Sequence, residues 1–310
     1  LCASGLEAIG QAARAIRLGE AELIVAGGVE SMSRSPYVLG KAGSPLARDQ
    51  KIEDTTLGWR FVNPRMKAQY GVESNTETAE NLARELGISR EDQDAYALRS
   101  QLRTEAAAPH LAEEILGVEV GTGKGVRTVA QDEHPRPGTT LDQLAKLKPL
   151  LGPGTTITAG NASGLNDGAG VLLLASESAV RQHRLEPFAR VGGMASAGVP
   201  PRTMGIGPVP AIRKLLAREG RALSDFDHVE INEAFAAQVL ACLRTLGLPD
   251  DDPRVNPHGG AIALGHPLGA SGARLCLSAA LNLRRGGATR ALASLCVGVG
   301  QGLALSLERI

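Results

Sequence analysis

Two cysteines and one histidine stand where the surrounding sequence could make them reactive. Cys2 opens a segment with the apolar spacing of an amphipathic helix, and the positive end of a helix dipole favours a thiolate. Cys296 lies at the end of an apolar run near the other terminus, and His266 lies in the glycine-rich segment 256–274, where a loop becomes a helix. A cysteine nucleophile, a histidine base and a second cysteine as proton donor would together suit acyl transfer.

Each of these residues also has an ordinary structural interpretation. A cysteine is more often a small buried apolar residue than a catalyst, and segment 256–274 could be a packing turn with an incidental histidine. Cys242 and Cys276 fall within helical apolar patterns and are predicted to be core residues. Because the chain has no CxxC pair, its cysteines indicate neither a metal site nor a disulfide framework, and they favour a reducing, cytoplasmic location.

The composition is that of an ordinary globular enzyme. Of the 310 residues, 43% are apolar and 21% charged, and no apolar run reaches the length of a membrane span. The net charge is zero and only 3% of the residues are aromatic, so neither an electrostatic footprint nor stacking platforms for bases are present. We therefore expect neither nucleic acid nor a membrane as a partner.

The two ends of the chain share one pattern. A helix that begins near Ala3-Ser4-Gly5 is followed by an apolar strand at 22–26, and a helix near Ala270-Ser271-Gly272 is followed by a strand at 289–298. An internal duplication is the simplest explanation, and by that argument roughly 80 residues should precede Leu1. The strand at 22–26 is predicted to be covered on both faces, like the strand at 171–175.

The middle of the chain differs from both ends. Residues 31–157 are richer in charge and proline, with predicted helices at 76–86 and from an N-cap at Ser89 to Ala108. After Glu186, strands alternate with helices, which predicts a mostly parallel sheet covered by helices. A Rossmann dinucleotide domain is rejected, because no glycine fingerprint joins an early strand to a helix.

Six motifs together resemble the thiolase family, in the order of that family and across almost the whole chain. They read LCASG, VAGGVESMSR, TAGNASGLNDGA, NEAFAAQ, GGAIALGHPLGASGAR and CVGVGQG. The resemblance implies an α/β fold of duplicated αβαβα layers with mixed, mostly parallel sheets. It also implies an N-terminal domain at 1–178, truncated at its start and carrying an inserted loop domain at about 29–158, and a C-terminal domain at 186–310.

The same resemblance implies a set of catalytic roles. Cys2 would attack the 3-keto carbon of a 3-ketoacyl-CoA, His266 would take its proton, and Cys296 would protonate the departing enolate. The backbone N–H groups of Cys2 and Gly298 would bind one oxyanion, and His266 with a water held by Asn232 would bind the other. Asn232 could instead cap the helix that follows it.

Binding residues and partners are carried over in the same way. Ser163 and Met204 match positions that line the pantetheine channel, Ala234 and Phe235 of the NEAF motif are assigned to substrate binding, and Ser163 could otherwise be a turn residue. Coenzyme A would be a substrate rather than a cofactor, no metal is expected, and the protein would be a homodimer or homotetramer in the cytoplasm.

Further stretches resemble the branch of the family that acts on beta-ketoadipyl-CoA. They are IEDTTLGWRF, NPRMKAQYGV and DEHPRPGTTLDQLAKLKP. The chain departs from that branch at Ser74-Asn75-Thr76, where its members usually carry methionine and often proline, beside the acyl pocket. Arg60, Arg65 and Lys67, or a polar group at Ser74 or Asn75, could face a carboxylate at the end of the acyl chain.

Five other interpretations stay open at this point. The chain could be an acetyl-CoA acetyltransferase or a general 3-ketoacyl-CoA thiolase. It could be a condensing enzyme that uses acyl-carrier protein, although Cys296 argues against this. It could also be an inactive fragment or a non-catalytic acyl-CoA-binding protein of the same fold.

Overall fold

The computed structural model describes residues 1–122 and 125–310. The elements before residue 186 are α1 (Ser4–Arg17), β1 (Leu23–Ser31), β2 (Tyr37–Leu39), β3 (Ile52–Asp54), α2 (Pro64–Tyr70), α3 (Asn75–Glu85), α4 (Arg90–Ala106), α5 (Ala108–Ala112), β4 (Val118–Thr122), β5 (Gly125–Val129), α6 (Leu141–Ala145), β6 (Asp167–Ala175) and α7 (Glu177–His183). Those after it are β7 (Arg190–Gly198), α8 (Pro208–Glu219), β8 (His228–Ile231), α9 (Ala236–Leu246), α10 (Ala261–Leu264), α11 (Leu268–Arg284), β9 (Arg290–Val297) and β10 (Gln301–Glu308). Short 3-10 turns lie at 32–34, 201–206 and 223–225.

Two sheets carry the ends of the chain. The second half forms a four-stranded sheet in the order β7-β10-β9-β8, and β1 pairs with β6 in a separate two-stranded sheet. The mixed α/β class is confirmed, but parallel pairing is not predominant: β8 and β9 run parallel, whereas β9–β10, β10–β7 and β1–β6 are antiparallel. The antiparallel pairing of β9 with β10 follows from their connection, because the three residues 298–300 between them can only reverse the chain.

Helices α1 and α11 pack directly on one another between the two sheets. A Cβ added to Gly5 would lie 2.7 Å from the carbonyl oxygen of Gly269, and one added to Gly272 would lie 2.5 Å from the backbone nitrogen of Leu6. Such distances are shorter than any side chain tolerates, so glycine permits this approach. The matching Ala-Ser-Gly tripeptides of the two helices therefore supply the contact that joins the first half to the second.

One face of the β1–β6 sheet differs from the prediction of strands covered on both sides. Val25 is 69% exposed and its neighbour across the pair, Leu173, is 54% exposed. The alternate residues Ala26 and Leu174 are buried against α1 and α11. The sequence was read as doubly covered because the strands are apolar throughout, but in the described part of the chain only one face has a helix packed on it.

Both helices predicted within the inserted segment, at about 29–158, are confirmed by the structure. Helix α3 has its N-cap at Ser74 and α4 has its N-cap at Ser89, and each has a complete capping box. Two predictions in the second half were wrong. The helix expected to begin in the NEAF motif begins at Ala236, and the short strand expected at 255–257 is a single bridge between Val255 and Val229. No helix in the described ranges is both long and apolar enough to cross a membrane.

Candidate active site

Cys2 lies just before the first turn of α1, buried to 7% exposure, and the backbone N–H of Gly298 faces its sulfur. Burial raises the pKa of this thiol, and the Gly298 N–H opposes that rise without cancelling it. The sequence argument from the helix dipole favoured a thiolate. The structure corrects it, since removal from water outweighs the favourable dipoles and leaves the resting group a neutral thiol.

Cys296 lies one residue before the end of β9 and is 1% exposed. Burial raises its pKa well above the usual value, and a charge on Cys2 or Cys242 would raise it further. The two cysteines from opposite ends of the chain are thus close enough to influence each other's ionisation. A buried neutral thiol is a proton donor, which is the form that the predicted role of Cys296 requires.

His266 is fixed at both its backbone and its ring. Its N–H donates to the carbonyl of Gly164 at 3.1 Å, and its Nδ1 lies 2.6 Å from the hydroxyl of Ser271 in the first turn of α11. Burial, together with the positive charge of Arg274, lowers the pKa of His266 to about 4. The imidazole is therefore neutral near pH 7 and has a lone pair available to accept a proton.

Asn232 connects His266 to the strand that carries Cys296. Its backbone N–H donates to the carbonyl of Ser294 in β9, two residues before Cys296, and its Nδ2 lies 3.4 Å from both ring nitrogens of His266. Its Oδ1 is buried and has no partner in the described part of the chain. The N-cap interpretation was wrong, because α9 begins four residues later with Phe235 in the N-cap position.

The predicted binding residues adjoin one another in part. The hydroxyl of Ser163 donates to the carbonyl of Ala234 at 3.1 Å, and Ala162 forms a bridge with Phe235. Ala234 and Phe235 are buried, and so is Met204, in the 3-10 turn 201–206. The hydroxyl of Ser163 thus bonds to a residue 71 positions away rather than within a local turn.

The structure brings the catalytic candidates together as two neighbouring groups. One group is Cys2, Gly298 and Cys296, and the other is His266 with Asn232. The pairing of β8 with β9 and the packing of α1 on α11 place the two groups side by side. No hydrogen bond joins Cys2 to His266 within residues 1–122 and 125–310.

Two contributors were not assigned roles from the sequence. Ser271 was read as a helix-start residue, yet it orients the ring of His266. Glu30, at the end of β1, accepts a hydrogen bond from the N–H of Gly269 at 3.1 Å and so holds the N-terminus of α11. The signal for Glu30 was its place in the motif VAGGVESMSR, where an acidic residue follows an otherwise apolar strand.

A cavity of about 820 Å³ lies elsewhere, behind α1 and β6. Its lining includes Ile9, Leu172 and Phe188, but neither His266 nor Cys296. In the portion of the chain that is described, no cluster of three metal-ligating side chains could hold a metal ion.

Comparison with known families agrees with this geometry. The model of the thiolase N-terminal domain matches residues 1–178, and that of the thiolase C-terminal domain matches residues 185–309. The chain belongs to the thiolase family.

Among curated thiolases, the chain is 63% identical over 312 residues to the beta-ketoadipyl-CoA thiolase of Pseudomonas aeruginosa, covering 100% of this chain and 78% of that protein. It is 46% identical to the mitochondrial 3-ketoacyl-CoA thiolase of Rattus norvegicus, covering 99% of this chain and 77% of the rat protein.

Two solved structures of human mitochondrial 3-ketoacyl-CoA thiolase have the same fold. The first has a TM-score of 0.92 at 45% identity, covering 100% of this chain and 78% of that one. The second, a complex with CoA, has a TM-score of 0.90 at 44% identity, covering 100% and 76%. Family membership decides against a condensing enzyme that uses acyl-carrier protein.

Proposed function

We propose that this thiolase cleaves 3-oxoadipyl-CoA with CoA to give succinyl-CoA and acetyl-CoA. The observation that carries the proposal is its similarity along the whole chain to a beta-ketoadipyl-CoA thiolase, at 63% identity against 46% for the general 3-ketoacyl-CoA enzyme of rat. A general 3-ketoacyl-CoA thiolase or acetyl-CoA acetyltransferase is the alternative, and it would use the same residues on a different acyl chain.

The first half-reaction makes an acyl-enzyme. The sulfur of Cys2 attacks C3 of the substrate, and its proton passes to the neutral imidazole of His266. The C2–C3 bond then breaks, and its electron pair leaves with the enolate of acetyl-CoA. Cys296 gives this enolate its proton, which releases acetyl-CoA and leaves a thiolate at Cys296.

The second half-reaction restores the enzyme. The thiol of incoming CoA gives its proton to the thiolate of Cys296, and the CoA sulfur attacks the acyl group on Cys2. As the acyl–sulfur bond of Cys2 breaks, the sulfur takes back the proton held by His266. Every group then has its starting proton, and no cofactor or metal is needed.

Two oxyanions form, and different donors are proposed for each. The N–H groups of Cys2 and Gly298 would bind the oxygen on C3; the Gly298 N–H already faces the sulfur that attacks there. His266 and a water would bind the enolate oxygen. The unpartnered Oδ1 of Asn232 supports this assignment, because a water bound there would satisfy it and still have a proton to donate.

We also propose a CoA-binding region, a domain organisation, a compartment and an assembly state. CoA would bind beside Ser163 and Met204, and α3 of the inserted segment packs on the 3-10 turn 201–206 that holds Met204. Two domains, 1–178 and 186–310, with an insertion at about 29–158, would organise this site. The cysteines, all free in the described residues, favour a reducing, cytoplasmic compartment, and assembly as a homodimer or homotetramer stays a prediction.

The test of this proposal compares two substrates and two variants of the full-length protein. The kcat/KM for thiolysis of 3-oxoadipyl-CoA should exceed that for the neutral 3-oxohexanoyl-CoA; the reverse preference would leave a general thiolase.

Cys2→Ala should abolish formation of the acyl-enzyme, as measured by mass spectrometry. Cys296→Ala should still be acylated by an activated acyl-CoA but lose about 10²–10⁴-fold in carbon–carbon cleavage, the usual cost of losing a positioned acid. Near-normal cleavage by Cys296→Ala would remove it from the mechanism.

A further inference from the structure

The side chain of Asn75, in the inserted segment, approaches residues 298–300 between β9 and β10, here called the catalytic loop. Its Oδ1 lies 3.8 Å from the position that a Cβ would take on Gly298. In the described part of the chain, no other atom beyond the loop's own neighbours comes within 4 Å of that position. Since the N–H of Gly298 faces the sulfur of Cys2, Asn75 borders the open space beside the reacting cysteine.

Asn75 is held in place while its amide stays free. It is the first residue of α3, whose N-terminus is closed by the capping box of Ser74 and Glu77. Farther along α3, the Nδ2 of Asn81 donates to the carbonyl of Arg202 at 3.0 Å, which anchors the helix to the second half. The Asn75 side chain is exposed and forms no hydrogen bond with any described residue, so its amide can bind a ligand.

The size of the acyl group places its far end near Asn75. Three carbon–carbon bonds separate C3 of 3-oxoadipyl-CoA from its terminal carboxyl carbon, a span of about 4 Å with bonds of about 1.5 Å each. When C3 is bonded to the sulfur of Cys2, an acyl chain that extends along the Gly298 side of the site brings its carboxylate beside Asn75.

The three basic residues considered from the sequence do not border the loop. Arg60, Arg65 and Lys67 are exposed, and none lies within 4 Å of the Cβ position on Gly298. Arg60 donates instead to the carbonyl of Gly58 in its own turn. The hydroxyl oxygen of Ser74 accepts the capping hydrogen bond of α3, and no atom of Ser74 lies within 4 Å of the Cβ position on Gly298, so Asn75 is the donor that borders this point.

We propose that Asn75 is a specificity-determining residue that donates a hydrogen bond from Nδ2 to the distal carboxylate of the acyl group. The inference rests on the proposed function, since only a dicarboxylic acyl group has that carboxylate. Rotation about the terminal torsion exchanges the two ends of the amide, so the Nδ2 donors can point into the same space. The N-terminal end of α3 also favours a negative charge there.

The test measures kcat/KM for 3-oxoadipyl-CoA and 3-oxohexanoyl-CoA in the full-length protein and its Asn75 variants. Asn75→Leu keeps the size of the side chain and removes its donors. It should lower kcat/KM for the dicarboxylic substrate about 10–100-fold, the cost of one hydrogen bond to a charged group, and leave the neutral substrate unaffected. Asn75→Asp should be worse than Asn75→Leu for the dicarboxylic substrate alone, because two carboxylates then repel.

Arg84→Gln provides the matched control, since it changes an exposed polar residue at the far end of the same helix and should change neither substrate. Equal losses on both substrates in Asn75→Leu, or no loss on either, would overturn the role of Asn75. A wild-type preference for 3-oxohexanoyl-CoA is a separate result that would overturn the proposed function itself. Circular dichroism of the variants separates these outcomes from misfolding, which the exposure of Asn75 makes a small concern.

Discussion

His266 and Cys2 show how far burial changes the chemistry of single residues. The sequence places one in a glycine-rich loop and the other before a helix, where exposed groups would have near-ordinary or lowered pKa values. In the structure, burial lowers the pKa of His266 and raises that of Cys2, so both are neutral at rest. Because both residues are neutral, Cys2 is a thiol rather than a thiolate at rest. We therefore expect Cys2 of the resting enzyme to react slowly with alkylating agents near neutral pH.

The neutral state of His266 also predicts how stability depends on pH. Its pKa is about 4 in the folded protein and about 6.5 in an unfolded chain, so the unfolded state binds the proton first as the pH falls. The folded state should lose about 3 kcal/mol between pH 6.5 and pH 4, and no more below that. Urea unfolding of the wild type and of His266→Gln across this range measures the difference.

That difference isolates His266 from other titrating groups. His258, whose pKa is also lowered by burial, titrates in both proteins and cancels in the comparison. Parallel pH curves for the wild type and His266→Gln would show that His266 is not held neutral.

The packing of α1 on α11 sets the distance between Cys2, the proposed nucleophile, and His266, the proposed base. Gly272→Ala tests this contact, because the added Cβ would lie 2.5 Å from the backbone nitrogen of Leu6 and 2.7 Å from its Cβ. Helix propensity alone favours alanine by about 1 kcal/mol, but the clash is with backbone and cannot be relieved by rotating a side chain. We expect a net loss of about 1–3 kcal/mol in unfolding free energy and a larger effect on kcat than on KM.

Gly43→Ala is the matched control for this substitution. A Cβ at Gly43 has no atom within 4 Å, and its backbone is not in the left-handed region, so stability and activity should both be kept. A stabilised and fully active Gly272→Ala protein would show that the two helices can separate without cost.

Glu233 joins the inserted segment to the second half of the molecule. Its buried carboxylate accepts hydrogen bonds from Tyr96 Oη at 3.0 Å and Ser100 Oγ at 2.6 Å in α4, from Asn256 Nδ2 at 3.0 Å and from the N–H of Ile262 at 3.1 Å. All four partners donate, as an ionised carboxylate requires. Glu233→Gln would turn an amide NH₂ toward donors and should cost about 2–5 kcal/mol in unfolding free energy.

Activity should fall with stability in Glu233→Gln, because the preceding residue, Asn232, contacts His266. Glu85→Gln is the comparison on the surface. Its carboxylate pairs with Arg202 in solvent, so its loss should cost at most about 1 kcal/mol and leave kcat unchanged. Equal effects of the two substitutions, in thermal unfolding and in steady-state kinetics, would remove Glu233 as the link between the segments.

The elements and the site differ in how well the sequence predicted them. Helices α3 and α4 were confirmed with their caps, because apolar spacing and capping residues act over a few positions. The start of α9 was wrong by four residues, because Asn232 looks like an N-cap but its backbone N–H bonds across to β9. Mixed pairing was confirmed, but the proportion of parallel strands was wrong, since pairing partners are chosen over distances that local pattern does not record.

The sequence by itself determined the family, the identities of the candidate catalytic residues and the helical caps, because motifs and local spacing carry that information. Only the tertiary structure decided which groups meet. It decided that Gly298 faces Cys2, that Ser271 and Asn232 contact His266, and that Asn75 borders the catalytic loop. It also decided the neutral resting state of the site, because desolvation depends on everything packed around a group rather than on its neighbours along the chain.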